Sequence, residues 1–175
     1  SRNVNERNDK YGGDLDNRLR FGVRVMEAVR ERVGQNFIVG IRVTGDDFLE
    51  NGLDAPQMQE ICGRLNDLKL LDYFNVIGGS AETFVGESAA VPNMSFKLGV
   101  YEHLAANIRQ VVDVPVIVTG RVVDPIQADK LIAEGHADLC IMNRALIADP
   151  HMPNKAQAGA FDDIRQCMGY NEGCI

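Results

Sequence analysis

VPVIVTGRVVDPIQADKLIAEGHADLCIMNRALIADP, residues 114–150, is the stretch that decides the fold. It holds two short apolar runs, residues 116–119 and 139–142, and each leads into a small residue followed by an arginine. Gly120-Arg121 follows the first run and Asn143-Arg144 the second. Between them lies a helical stretch with a clear start: Asp124 is placed to cap it, and Pro125 stands at the first helical position, where its missing N–H costs nothing. Strand, helix, strand in this spacing is a right-handed crossover between parallel strands, so both arginine-bearing ends fall on one rim of the sheet. A glycine, main-chain N–H groups and two guanidinium forks at adjacent strand ends suit a phosphate. Taken alone, the two arginines are equally compatible with ordinary surface loops.

The same alternation extends outward from there. A turn-rich start leads into a helix over residues 15–33, which Asp14 or Asp16 can cap and Gly34 ends. FIVGIRV, residues 37–43, is a nearly continuous apolar run, as a buried parallel strand requires. A loop with three acids, residues 45–52, precedes an amphipathic helix over residues 55–68. YFNVI, residues 73–77, is a second strand, stopped by Gly78-Gly79. Residues 80–97 read as a long irregular connection, and such loops are often functional. Helix returns over residues 98–111, and a terminal helical segment covers residues 152–158. Strands and helices alternating four times make a parallel sheet, either a doubly wound open sheet or part of a (β/α)8 barrel. A whole barrel needs about 250 residues, so four units would be half of one. The doubly wound reading is the weaker, because VTGDDF, residues 43–48, lacks a G-x-G-x-x-G turn.

With 45% hydrophobic and 25% charged residues, the 175-residue chain has the composition of one globular domain. Its net charge of −7 argues against a non-specific nucleic-acid binder. No apolar run is long enough to span a membrane, and the polar N-terminus carries no apolar signal core, so a cytoplasmic location is expected. Cys62 and Cys140 sit in apolar surroundings and are expected to be reduced core residues. His103, His136 and His151 show no metal spacing.

YGGDLDNRLRF, residues 11–21, preceded by NERND, resembles a signature of the old yellow enzyme family of FMN oxidoreductases. Gly40 to Arg42 (GIR), Gly120-Arg121, the spacing from Ala137 to Arg144, and IADP at residues 147–150 all fall in that family's order. The ending DDIRQCMGYNEGC resembles the start of the iron–sulfur segment in the subgroup of trimethylamine dehydrogenase, 2,4-dienoyl-CoA reductase and N-methyl amino-acid demethylases. The resemblance implies an FMN-binding (β/α)8 TIM barrel of which residues 1–160 form the second half, strands five to eight, and residues 161–175 the beginning of a cysteine segment. DYFNVIGGSAETF, residues 72–84, and VPNM, residues 91–94, are closest to the demethylase branch.

On that resemblance the expected activity is hydride transfer between a substrate C–H bond, or NAD(P)H, and FMN, as in oxidative N-demethylation of a methylated amine or amino acid. An ene-reductase of the dienoyl-CoA reductase type and a non-catalytic, self-associating half-barrel are the alternatives. The family's acid–base residues lie on earlier strands, so this chain alone is expected to be inactive. A small-molecule substrate, NAD(P)H or an electron-transfer protein, and a second copy or the missing half are the expected partners.

The resemblance places Arg42 beside the pyrimidine edge of the flavin, where a fixed positive charge stabilises the reduced anion; the competing reading is a buried ion pair with Asp46 or Asp72. Gly120, Arg121, Asn143 and Arg144 are the expected phosphate ligands, in keeping with phosphate sites after strands seven and eight of barrels generally. Gly78 and Gly79 either let the backbone approach the flavin ring or simply permit a turn. Glu82 and Glu87 are either contacts for a substrate ammonium or solvated loop acids. Arg18 and Arg20 are expected to pair with neighbouring acids. Cys167 and Cys174 match two ligand positions of a Cys-x-x-Cys-x-x-x-Cys cluster motif, but Tyr170 occupies the second, and four thiolates are the normal requirement, so two free thiols or a labile disulfide are the expected state of this chain.

Overall fold

The computed structural model describes residues 1–81 and 83–174. Four strands, β1 (Gly40–Thr44), β2 (Tyr73–Ile77), β3 (Val116–Thr119) and β4 (Leu139–Ile141), form one parallel sheet in the order β1-β2-β3-β4. The helices α1 (Leu15–Val33), α2 (Ala55–Asp67), α3 (Phe84–Ala90), α4 (Glu102–Arg109), α5 (Pro125–Ala133), α6 (Asn143–Ala148) and α7 (Met152–Gln157) complete the described chain, with a 3-10 turn at Phe161–Asp163. Sequential order of the strands is what successive right-handed βα crossovers produce. A half-barrel (β/α)4 sheet is therefore the architecture.

The helix starts have local causes. Asp14, Asp54 and Asp124 each accept a hydrogen bond from the backbone N–H three residues on, at 2.8, 2.9 and 2.8 Å. Gly34 closes α1 with φ of 76°, its N–H bonded to the Arg30 carbonyl.

The two faces of the sheet differ. Phe74, Val76, Val116 and Val118 point into the core, packed with Cys62 and Leu65 of α2 and Leu104, Ala105 and Ile108 of α4. Arg42, Asn75, Ile117 and Leu139 lie in register across the opposite face, with Ile77, Thr119 and Ile141 one step nearer the C-terminal rim. Thr119 Oγ1 donates to Asn75 Oδ1 at 2.8 Å on that face. Val25, Val29, Val33 and Phe21 form an exposed apolar row along α1.

The structure differs from the sequence expectation in several places, and the helix expected over residues 98–111 is the shorter α4, Glu102–Arg109, preceded by turns. β1 starts at Gly40, not at residue 37: Phe37 and Ile38 are 62% and 72% exposed. The backbone there is already committed elsewhere, since Arg30 Nη1 donates to the Phe37 carbonyl at 2.8 Å and Asp72 takes the Val39 N–H at 2.7 Å. Residues 80–97 are not wholly irregular, because Thr83 caps the short helix α3 by accepting from Gly86 N at 3.0 Å. Asn143-Arg144 is not a loop; it opens α6 directly from β4. Among the described residues neither Arg18 nor Arg20 forms an ion pair with an acid: Arg18 Nε is buried without a hydrogen-bond partner, Arg20 donates to the Lys10 carbonyl and Asn17 Oδ1, both at 2.7 Å, and Asp16 joins Arg64 of α2.

Candidate functional site

The C-terminal ends of β3 and β4 open on a cavity of about 510 Å³. Gly120, Arg121, Asn143, Arg144 and Arg42 all line it, so the parallel crossover does bring both arginine pairs to one rim. Cys167 and Cys174 line it as well, carried there by the terminal segment.

The Gly120-Arg121 turn is unusual backbone. Gly120 has φ of 150° and Arg121 has φ of 49°, a left-handed conformation uncommon for a residue with a side chain. A ring wedged beneath explains the need for glycine. Tyr101, 1% exposed, lies so close that a methyl group on Gly120 would sit 2.5 Å from its Cδ2. The same ring, with Phe48, packs under Gly78, where a methyl would meet Phe48 Cε2 at 2.8 Å. Tyr101 is fixed at its other end by donating from its hydroxyl to the Ala89 carbonyl, and burial pushes its phenol up to about 12. One buried aromatic thus supports the ends of both β2 and β3.

Gly78 and Gly79 do not line the cavity. They are buried, Gly79 with φ of 85° against the backbone of α3.

The arginines serve a second segment. Arg121 Nη1 donates to the carbonyls of Met94, at 3.1 Å, and Phe96. Arg144 Nη2 donates to the Pro92 carbonyl at 2.8 Å, and its Nη1 to Asn171 Oδ1. Arg121 Nε, in contrast, is buried without a hydrogen-bond partner. Two guanidinium groups and two strand-end turns converge on this one cavity, and planar charged donors suit the oxygens of a phosphate. The residues present fit a phosphate group on that observation.

Arg42 is exposed on the open face of β1 and, among the described residues, forms no ion pair with either acid considered for it. Asp72 instead serves the buried Arg30, at 2.7 Å, and this guanidinium holds its carboxyl below the usual range, helped by the Val39 N–H. Asp46 caps its own turn by accepting from Phe48 N at 2.7 Å. Glu87 is exposed on α3 and off the cavity; Glu82 lies outside the described residues. Cys62 is fully buried, which pushes its thiol up to about 12, and Cys140 is half-buried with its thiol also raised.

Sequence reasoning did not find Tyr101, Asn171 or Asp149. Asp149 is completely buried and accepts from Lys155 Nζ at 2.6 Å, Arg165 N at 3.0 Å and His151 N at 3.1 Å, tying the terminal segment to α7. Its position inside IADP was the available signal.

A parallel α/β sheet of four consecutive strand–helix units is the class of the TIM-barrel flavoenzymes, and a solved member superposes on it. A 2-naphthoyl-CoA reductase in complex with 2-naphthoyl-CoA matches with a TM-score of 0.90 and 31% identity over 98% of this chain and 26% of that one. The chain belongs to the NADH:flavin oxidoreductase / NADH oxidase family, whose model matches residues 1–163. It is 42% identical to an N,N-dimethylglycine/sarcosine dehydrogenase of Chromohalobacter salexigens over 96% of this chain and 24% of that protein. It is 40% identical to a metal reductase of Desulforamulus reducens over 98% of this chain and 25% of that protein. The chain therefore spans about a quarter of the length of these relatives. Among the described residues, no helix is long and apolar enough to cross a membrane.

Proposed function

We propose that residues 1–160 act as the second half of an FMN-binding (β/α)8 barrel in an oxidoreductase that removes hydride from a methylated amine or amino acid. The single observation that carries the cofactor reading is the convergence of Gly120, Arg121, Asn143 and Arg144 on one cavity at the ends of β3 and β4. Gly120, Arg121, Asn143 and Arg144 would hold the phosphate of FMN, and Arg42 would set positive charge on the lumen face of β1. When bound, FMN supplies a ring that accepts or returns hydride.

The chain's own residues supply binding and charge. The guanidinium groups neutralise phosphate in a partly enclosed cavity, where each charge-assisted hydrogen bond is stronger than in water. Arg42 stands exposed on its strand and would favour negative charge developing on a neighbouring group. Asn75 and Thr119, hydrogen-bonded to each other, form a polar patch on the next two strands. The first four strands would cover the apolar row on α1 and the open strand edges, or a second copy would do so.

Dimethylated glycine as the substrate class rests on the name and 42% identity of the Chromohalobacter relative. A second reading, in which NAD(P)H is the donor and the substrate is reduced, rests on the relative named a metal reductase. Anaerobic mixing of the FMN-loaded whole protein with dimethylglycine, sarcosine or NADH separates them. Bleaching of the flavin band by the amines supports demethylation; bleaching by NADH alone contradicts it.

A further inference from the structure

Residues 167–174 carry two cysteines at cluster-motif positions, yet the donor set does not fit a four-thiolate cluster. Tyr170 stands where the second thiolate would be, is 66% exposed, and offers a phenol in place of a thiolate. What the segment does have is a set of protein contacts. Asn171 accepts from Arg144 Nη1 and donates from Nδ2 to the Val91 carbonyl at 2.7 Å. Met94 N donates to the Gly169 carbonyl at 2.7 Å, and Cys174 N to the Asn171 carbonyl at 3.0 Å. Gly169 and Asn171 adopt left-handed φ values of 72° and 68°. Glycine tolerates that region freely, and asparagine better than most other residues. Upstream, Arg165 N is held by the buried Asp149.

We propose that Asn171 is a positioning residue of the phosphate site, fixing the Arg144 guanidinium and seating the cysteine segment as the cavity's outer wall in place of a metal cluster. The inference rests on the phosphate reading of that cavity. Its physical basis is that an arginine on the first turn of a short helix has several free torsions, and ordering them on ligand binding costs affinity. Asn171 orders the guanidinium beforehand, and its second hydrogen bond ties the same amide to the residue 91–96 loop that both arginines serve. Cys167, Gly169, Gly173 and Cys174 then close one side of the cavity as wall residues.

The test combines amide hydrogen exchange of residues 164–174 with flavin titration, on the wild-type chain, Asn171→Gly, Asn171→Asp and Cys167→Ser/Cys174→Ser. Asn171→Gly keeps the left-handed backbone accessible and removes only the side chain. The expected result is exchange faster by about tenfold or more in Asn171→Gly, partial protection in Asn171→Asp, which still accepts from Arg144, and no change in the double serine variant. FMN affinity should fall about three- to tenfold in Asn171→Gly, with riboflavin affinity unmoved. Wild-type exchange rates in Asn171→Gly would overturn the inference, as would a loosened segment in the double serine variant or stoichiometric iron and sulfide in the wild type. If wild-type protein binds FMN no better than riboflavin, the phosphate reading fails, while the exchange rates still decide whether Asn171 or a metal organises the segment.

Discussion

Gly120→Ala should be among the most damaging single-methyl additions available on this rim. Two separate costs meet at the position. A φ of 150° is territory for glycine, and forcing a side chain to hold it costs about 1–3 kcal/mol. The new methyl would also lie 2.5 Å from Tyr101 Cδ2, and over-packing a closed core costs about 1–3 kcal/mol more. Tyr101 has little freedom to retreat, being buried and bonded through its hydroxyl to Ala89. The sum is a destabilisation of about 2–6 kcal/mol, large against a marginal total stability. Urea unfolding followed by far-UV circular dichroism measures it, and a double-mutant cycle with Tyr101→Leu isolates the steric part. Leucine removes the ring atoms the methyl would strike, so the double variant should be less destabilised than the two singles added together, by about 1–3 kcal/mol. Additivity within about 0.5 kcal/mol would refute the wedge explanation. It would leave backbone conformation as the sole reason for glycine.

Three further outcomes follow from the same structure. Arg30→Met should destabilise by about 3 kcal/mol, because hydrogen bonds from a charged donor are lost and the Leu70, Gly34 and Phe37 carbonyls are left without it; Arg30→Lys should recover less than half in the same urea assay, since one ammonium cannot span that fork. Asp149 is held down to about 2 by the Lys155 ammonium and then the Arg165 N–H, against an ordinary 3.8. A lowered carboxyl stabilises the fold while ionised, so that contribution is whole above about pH 4 and is lost as pH falls toward about 2. Asn at 149 should flatten this acid limb of the urea midpoint; an unchanged limb contradicts the assignment. Alkylation under native conditions should reach Cys174 first and Cys62 only on unfolding, because the latter is buried with its thiol raised to about 12. Mass spectrometry showing early modification of Cys62 would be the opposing result.

Much of the fold was readable because its signals are local. Asp14 and Asp124 announce helix starts by side-chain capping, and the runs YFNVI and VIVT are apolar enough to be strands buried on at least one face. α3 and α6 were not readable, since seven and six residues are too few for a helical period, and Gly86 and Ser88 are weak helix formers. Phe37 and Ile38 read as strand by hydrophobicity alone. The Phe37 carbonyl is instead bound by Arg30, and the next residue but one, Val39, gives its N–H to Asp72 of a later strand connection. The rim arginines followed from parallel topology. The Tyr101 wedge and the Asn171 tie did not, because each depends on contacts between segments that only the folded chain brings together.

The most direct test of the phosphate rim is an equilibrium titration of the flavin-free whole protein with FMN and with riboflavin, read by quenching of flavin fluorescence. The account predicts a preference for FMN of about tenfold or more, from charge-assisted bonds worth about 1.5–3 kcal/mol, and its loss in Arg121→Gln. Equal affinity for the two flavins, or an FMN preference that survives Arg121→Gln, would contradict it.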